Sequence, residues 1–189
     1  GEIDDATRGL IELACEQRSG LVFVMTDPSA SLDLGGWLAG YEAALDDLHL
    51  DELEFFCERE VTGPNWKVAF DGYVDGYHLD KLHRETLGRI YLGSAMTVDA
   101  WGPHQRVAFP TRHLAKLTNL PDGDFDAVNH IGLVHTIFPH VSIAGGHGQD
   151  LMVSQLIPGP TPDRSRTIQT HLVSRRPETD QEIAEATAH

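Results

Sequence analysis

Cysteine is scarce in this chain: Cys15 and Cys57 are the only two among 189 residues. A disulfide framework of the kind that staples small secreted domains is excluded. Both cysteines stand beside apolar neighbours, in "ELACEQ" and "EFFCER", and read as buried free thiols in a reducing compartment. Positive charge is also thin, with 14 basic against 29 acidic residues and a formal net charge of −15. That balance argues against nucleic acid or anionic membrane as a partner, because both select clustered Lys and Arg. No apolar run approaches the roughly 20 residues of a membrane-spanning helix. The first residues are acidic rather than a basic-then-apolar signal, so the chain reads as soluble and cytoplasmic. Internal repeats and low-complexity tracts are missing. No Gly-rich phosphate loop follows a strand, and Ser142 and Ser154 lack a nucleophile-elbow context.

What is present reads as one domain, long enough to bury a core without staples. Glu2–Gln17 has mixed periodicity and stays unassigned. Leu21–Met25 is a short apolar run between Gly20 and Asp27-Pro28, which predicts a buried strand. In "SASLDLGGWLAGYEAALDDL", Leu34, Trp37, Leu38, Tyr41 and Leu45 recur at three- and four-residue steps, which predicts a helix capped by Ser31 or a neighbour. Leu53, Phe55, Cys57 and Arg59 alternate along a predicted strand ending near Gly63-Pro64, and Pro64 opens the next helix. Arg89–Trp101 is mixed strand and loop. After the loop "PDGDFD", the stretches "HIGLVHTIFPHVSI", "DLMVSQLIPG" and "TIQTHLVSRR" are β-branched and divided by Gly and Pro. "PETDQEIAEATAH" reads as a helix starting near Pro177. Helices early, antiparallel strands in the middle and a helix at the end describe an α+β domain.

Chemistry concentrates in "NWKVAFDGYVDGYHLDKLH", Asn65–His83, which places Asp75, His78 and His83 among apolar and aromatic residues. Tyr77, Leu79 and Leu82 suggest a half-buried segment. Imidazole and carboxylate are common ligands of divalent iron and zinc. On a helix Asp75 and His78 would lie about 60° apart, whereas His78 and His83 would be about 140° apart. A helix carrying both to one ion must therefore bend, bulge or end between them. The plainer alternative is an Asp75–His78 hydrogen bond with His83 on the surface. His135 and His140 are also five apart, but in a predicted strand an odd separation points them to opposite faces. His147, in "GGHGQD", reads as a surface turn residue, and His104, in "WGPHQR", as a strand cap rather than a substrate contact.

Asn65-Trp66-Lys67, Asp75, Tyr77-His78 and His83 together resemble the mononuclear-iron segment of Rieske-type aromatic-ring-hydroxylating oxygenases, in the catalytic domain of the alpha (large) subunit. "RSGLVFVMTDP" is similar to the passage out of the family's Rieske domain, and "TIFPHVSI" to its central strand pair. The resemblance implies a helix-grip (START/Bet v1-like) fold, with a curved antiparallel sheet around a long helix. It implies that His78 and His83 ligate a mononuclear non-haem Fe(II), while Asp75 passes an electron from the Rieske cluster of the adjacent subunit and orients His78. It further implies O2 and an aromatic or other apolar substrate, NAD(P)H-derived electrons through a reductase or ferredoxin, and a homotrimer or alpha3beta3 assembly. Asp71-Gly72 stands where relatives often carry Glu-Asn.

The chain has neither Cys-x-His nor Cys-x-x-His, so a 2Fe-2S Rieske cluster is expected outside it. Residues 1–28 are then the tail of, or linker from, that domain, and 29–189 the iron domain. The third ligand is expected along the last helix beyond His189, with Glu178, Asp180, Glu182 and Glu185 as a solvated acidic face near its start. Two other readings remain: a non-enzymatic module binding a lipid-like ligand, and a metal-dependent hydrolase.

Overall fold

The computed structural model describes residues 9–114, 128–145, 150–179 and 181–183. The "PDGDFD" loop, His147, Asp180 and Glu185 lie outside the described residues. Two compact units meet in sequence at Asp51 and Glu52.

The first unit contains strands β1 (Cys15–Arg18) and β2 (Leu21–Val24), paired as an antiparallel hairpin. Its two-residue turn holds Ser19 at φ 52° and Gly20 at φ 74°, the doubly left-handed conformation that matches strand twist. The expected strand is there, but it is not buried: Val22 and Val24 are 67% and 51% exposed. A two-stranded ribbon covers at most one of its faces, and Phe23 takes the covered side, edge-on to Trp37 at 6.0 Å. Cys15 is likewise exposed and Cys57 half-buried, which corrects the reading of both as buried thiols. The single expected helix is two, α1 (Leu34–Leu38) and α2 (Glu42–Asp46). Ala39 at φ 53° and Gly40 at φ 89° interrupt it. Asp33, not Ser31, caps α1 by accepting from the Gly36 amide at 3.0 Å. The apolar period survives the break, since Leu34, Leu38, Tyr41 and Leu45 are all buried.

The second unit is α+β and built on one antiparallel sheet. Its strands are β3 (Glu54–Gly63), β4 (Thr97–Trp101), β5 (His104–Pro110), β6 (Ile131–Ile137), β7 (Val141–Gly145), β8 (Leu151–Pro158) and β9 (Ser165–Val173). They lie in the order β3-β9-β8-β7-β6-β5-β4. The simple alternation expected along β3 fails at a register shift between Phe55 and Cys57. The bulged Phe56 turns inward and Phe55 outward. Helix α3 (Trp66–Val74) lies against β6, β8 and β9, and a short helix α4 (Leu87–Ile90) follows it.

Register assigns the residues that face α3. Cys57, His171, Met152, Ala144, Val134 and Val107 form one row across the sheet. Val107, Val134 and Phe109 pack with Leu79. Two residues along, Arg59, Gln169, Ser154, Ser142, Thr136 and Gln105 form a second row on the same face. At the far end of the unit, helical residues 181–183 start behind Thr179 rather than at Pro177. Thr179 Oγ1 accepts from the Glu182 amide at 3.2 Å, and the Glu182 carboxylate accepts from the Thr179 amide at 3.1 Å, a reciprocal cap.

Candidate metal centre

Helix α3 starts at an Asn65 cap, whose side chain accepts from the Lys67 amide at 2.8 Å. Pro64 sits just before that cap rather than inside the helix. The helix ends at Val74, because Asp75 is extended, at φ −92° and ψ 117°. Gly76 then passes close to Gly93: a Cβ on Gly93 would stand 2.3 Å from the Gly76 carbonyl oxygen, and one on Gly76 2.6 Å from that of Gly93. Two glycines in contact let the backbones touch where any larger residue would part them.

A 3-10 turn, Tyr77–Asp80, follows. Its His78 carbonyl accepts from the Lys81 and Leu82 amides at 3.0 and 2.7 Å. The His83 carbonyl accepts in turn from the Thr86 and Gly88 amides at 3.0 and 2.8 Å. The helix therefore stops before the first histidine, earlier than the angular spacing required. Asp75 and His78 meet through the turn, not by sharing a helical face. Of the two leucines between the imidazoles, Leu79 is 6% exposed and Leu82 is 80% exposed. A tight turn can aim only one of them inward.

The backbone brings the three predicted side chains together. The His78 and His83 ring centres are 5.2 Å apart, with planes inclined at 73°. Two imidazoles that ligate one ion at about 2.0–2.1 Å, at 90–110° to each other, would have ring centres roughly 4.6–5.3 Å apart. Asp75 Oδ2 stands 3.6 Å from His78 Nδ1, somewhat beyond hydrogen-bond length. That nitrogen is buried and takes no hydrogen bond among the described residues. The donor set suits a borderline divalent ion, with two imidazoles and a carboxylate behind one of them. Among the described residues no group of three His, Cys, Asp or Glu side chains is arranged to hold a metal.

Asp75, His78 and His83 line a cavity of about 880 Å³. Phe56, Leu79, Tyr91, Phe109, Val134 and Met152 give it apolar walls. Burial pushes the Tyr91 phenol pKa up, so the group stays a protonated donor at neutral pH. Arg59 Nε donates to Gln169 Oε1 at 2.7 Å, and Gln169 Nε2 donates to the Tyr73 hydroxyl at 3.3 Å. This polar strip also lines the cavity. Burial, helped by the Arg59 charge, pushes the neighbouring His171 down. Sequence reasoning missed Arg59, Tyr73, Gln169 and His171. Arg59 on β3 meets Gln169 on β9 through strand register and Tyr73 reaches them from α3, and the only sequence signal was the alternation of Gln169 and His171 along β9.

The other histidines go elsewhere. His135 is buried on β6 and faces away from the Val134 and Thr136 side. His140 lies in the turn that follows the cis Phe138–Pro139 bond. His104 is fully buried at the start of β5, where its Nδ1 accepts from the Phe138 amide at 3.2 Å. It caps the strand, as expected. Ser142 and Ser154 face each other across β7 and β8, buried beside α3's side of the sheet.

The sequence profile of the ring hydroxylating alpha subunit (catalytic domain) family matches residues 37–189, and the chain belongs to that family. The quaternary ammonium Rieske monooxygenase CntA, in complex with an inhibitor, shares the fold at a TM-score of 0.72 and 16% identity, over 92% of this chain and 45% of that one. CntA in complex with gamma-butyrobetaine gives 0.72 and 14%, over 97% and 46%. A structure described in terms of carnitine oxidation and inter-subunit electron transfer gives 0.70 and 16%, over 94% and 47%. The chain thus spans less than half the length of these structures. No curated protein matches it in sequence.

Proposed function

We propose that residues 29–189 form the mononuclear-iron catalytic part of an oxygenase terminal component, with 1–28 as the stretch leading into it. In this reading the sheet and α3 belong to a helix-grip arrangement. The observation that carries the proposal is the approach of two imidazoles to 5.2 Å at the edge of an apolar cavity, with a carboxylate behind one of them. His78 and His83 would hold Fe(II), and the third ligand of a facial site is assigned to no described residue. Bound iron would supply activation of O2, using electrons from NAD(P)H that arrive through a reductase or ferredoxin and a 2Fe-2S Rieske cluster outside this chain.

The residues present do the rest. Asp75 stands behind His78 Nδ1 and would orient that ring so that Nε2 faces the metal. Being half exposed, Asp75 is also placed to receive an electron-donating neighbour, as in a trimer whose subunits serve one another. The apolar walls exclude water and orient an apolar, preferably aromatic, substrate for hydroxylation. The quaternary ammonium substrates named for CntA mark a second substrate class for trial. The protein would work in the cytoplasm.

Anaerobic Fe(II) titration tests the metal assignment. One equivalent should bind, and His78→Ala should abolish binding. In an intact subunit Asp75→Asn should keep its iron and lose turnover. Iron lost from Asp75→Asn as thoroughly as from His78→Ala would contradict the bridging role.

A further inference from the structure

The two imidazoles lie on the stretch between α3 and α4. His78 sits in a 3-10 turn and His83 in the turns after it. One residue, 29 positions beyond His83, ties both ends of that loop. Arg112 Nη2 donates to Asp80 Oδ1 at 3.0 Å, and Arg112 Nε donates to the Gly88 carbonyl at 2.8 Å. The Arg112 amide also donates to the Ile90 carbonyl at 2.8 Å. Asp80 and Gly88 bracket His83, and Gly88 is itself bonded to the His83 carbonyl at 2.8 Å. A Cβ on Gly88 would stand 2.6 Å from the Leu79 carbonyl oxygen and 3.0 Å from that of His83. The two arms of the loop therefore touch at Gly88, directly under the guanidinium.

We infer that Arg112 is a positioning residue that fixes the spacing of the His78–His83 pair, and through it the affinity of the site for a divalent metal. The inference rests on the metal reading above. The chemistry needs Arg. Its planar fork can bond a carboxylate with one nitrogen and a carbonyl with another while holding them at a set distance, whereas a lysine ammonium is a single point on a flexible stem. Without that clamp Asp80 and Gly88 can separate, and His83 moves with them. His78 stays anchored by the buried Leu79.

The test is anaerobic Co(II) titration of the 189-residue chain, with the melting temperature of the metal-free protein measured alongside. The proteins are wild type, Arg112→Gln, Arg112→Lys and Asp80→Ala, with His78→Ala to define background binding. Arg112→Gln should weaken Co(II) binding about 10- to 100-fold, the range found when groups that orient metal ligands are lost. Arg112→Lys and Asp80→Ala should fall between it and wild type. The visible spectrum of the bound ion should change with the weakening. A purely structural role would lower the metal-free melting temperature and leave affinity and spectrum at wild-type values, which would overturn the inference. If Arg112→Gln fails to fold, the same reading is made on Arg112→Lys and Asp80→Ala, and wild-type affinity in both overturns it. Wild-type protein that binds no more Co(II) than His78→Ala overturns the metal assignment, and this inference with it.

Discussion

Two histidine pairs in this chain have the same spacing and opposite outcomes. His78 and His83 approach to 5.2 Å between ring centres. His135 and His140 are split between a buried strand position and a turn. Five residues of helix, strand or turn cover different distances and rotations, so the backbone between two ligands decides whether they converge. For the first pair, α3 ends at Val74 and successive tight turns double the chain back. For the second, β6 runs straight through His135, and a turn then carries the chain into β7. The difference lies in what breaks the regular structure. Gly76, Gly88 and Gly93 allow backbone to touch backbone around the first pair, and among the described residues no such contact gathers the second.

The largest effect expected from this contrast is on metal binding. His78→Ala or His83→Ala should weaken Fe(II) or Co(II) binding by more than the ~100-fold typical of losing an orienting partner. His135→Ala should leave affinity unchanged and lower stability by about 1–3 kcal/mol, as buried truncations do. Calorimetric titration and urea unfolding read the two quantities separately.

Next comes the crowding that shapes the loop. Gly93→Ala must push its Cβ away from the Gly76 oxygen, an overpacking that should cost about 1–3 kcal/mol and weaken metal binding as well. Urea unfolding of the metal-free protein gives the first quantity. A variant as stable as wild type would show that the contact is not required.

A smaller effect belongs to the buried hydroxyls. Ser142 and Ser154 Oγ are buried and take no hydrogen bond among the described residues. Replacing either by Ala should be neutral or stabilising by up to about 1 kcal/mol, because no partner is orphaned. A loss of stability or of activity beyond that would point to a polar role for the pair.

The smallest effect is local. Arg175, together with the Glu178 and Thr179 amides, holds the Glu182 carboxyl at about 2. A depressed acid stabilises the fold above its ordinary value near 4.5, and that contribution is lost as pH falls through about 2. The Glu178 and Thr179 amide resonances should therefore titrate near pH 2. A midpoint near 4.5 would mean the cap is not formed in solution.

The sequence carried the site further than it carried the fold around it. That Asp75, His78 and His83 come together was legible because the resemblance over Asn65–His83 singled them out, and the need for a break before His83 followed from helical angles alone. The strands from His130 to Arg176 were legible from β-branched composition. What escaped depends on tertiary context. The bulge that turns Phe56 inward, the split at Ala39-Gly40 and the exposure of Val22 and Leu82 leave no periodic trace. Arg59 and Gln169 pair across 110 residues, and Arg112 acts through partners 24 and 32 residues away; such pairings exist only once the chain has folded. The reciprocal Thr179–Glu182 cap was available as T-x-x-E, and was passed over because Glu182 read as part of an acidic face.

The most direct measurement follows the imidazoles themselves. The eleven histidine ring resonances of the metal-free protein are recorded under anaerobic conditions, and paramagnetic Co(II) is added to one equivalent. The account predicts that the His78 and His83 resonances shift or broaden first and together, while those of His104, His135 and His140 keep their positions. Broadening centred on any other histidine, or spread evenly over all of them, would contradict it.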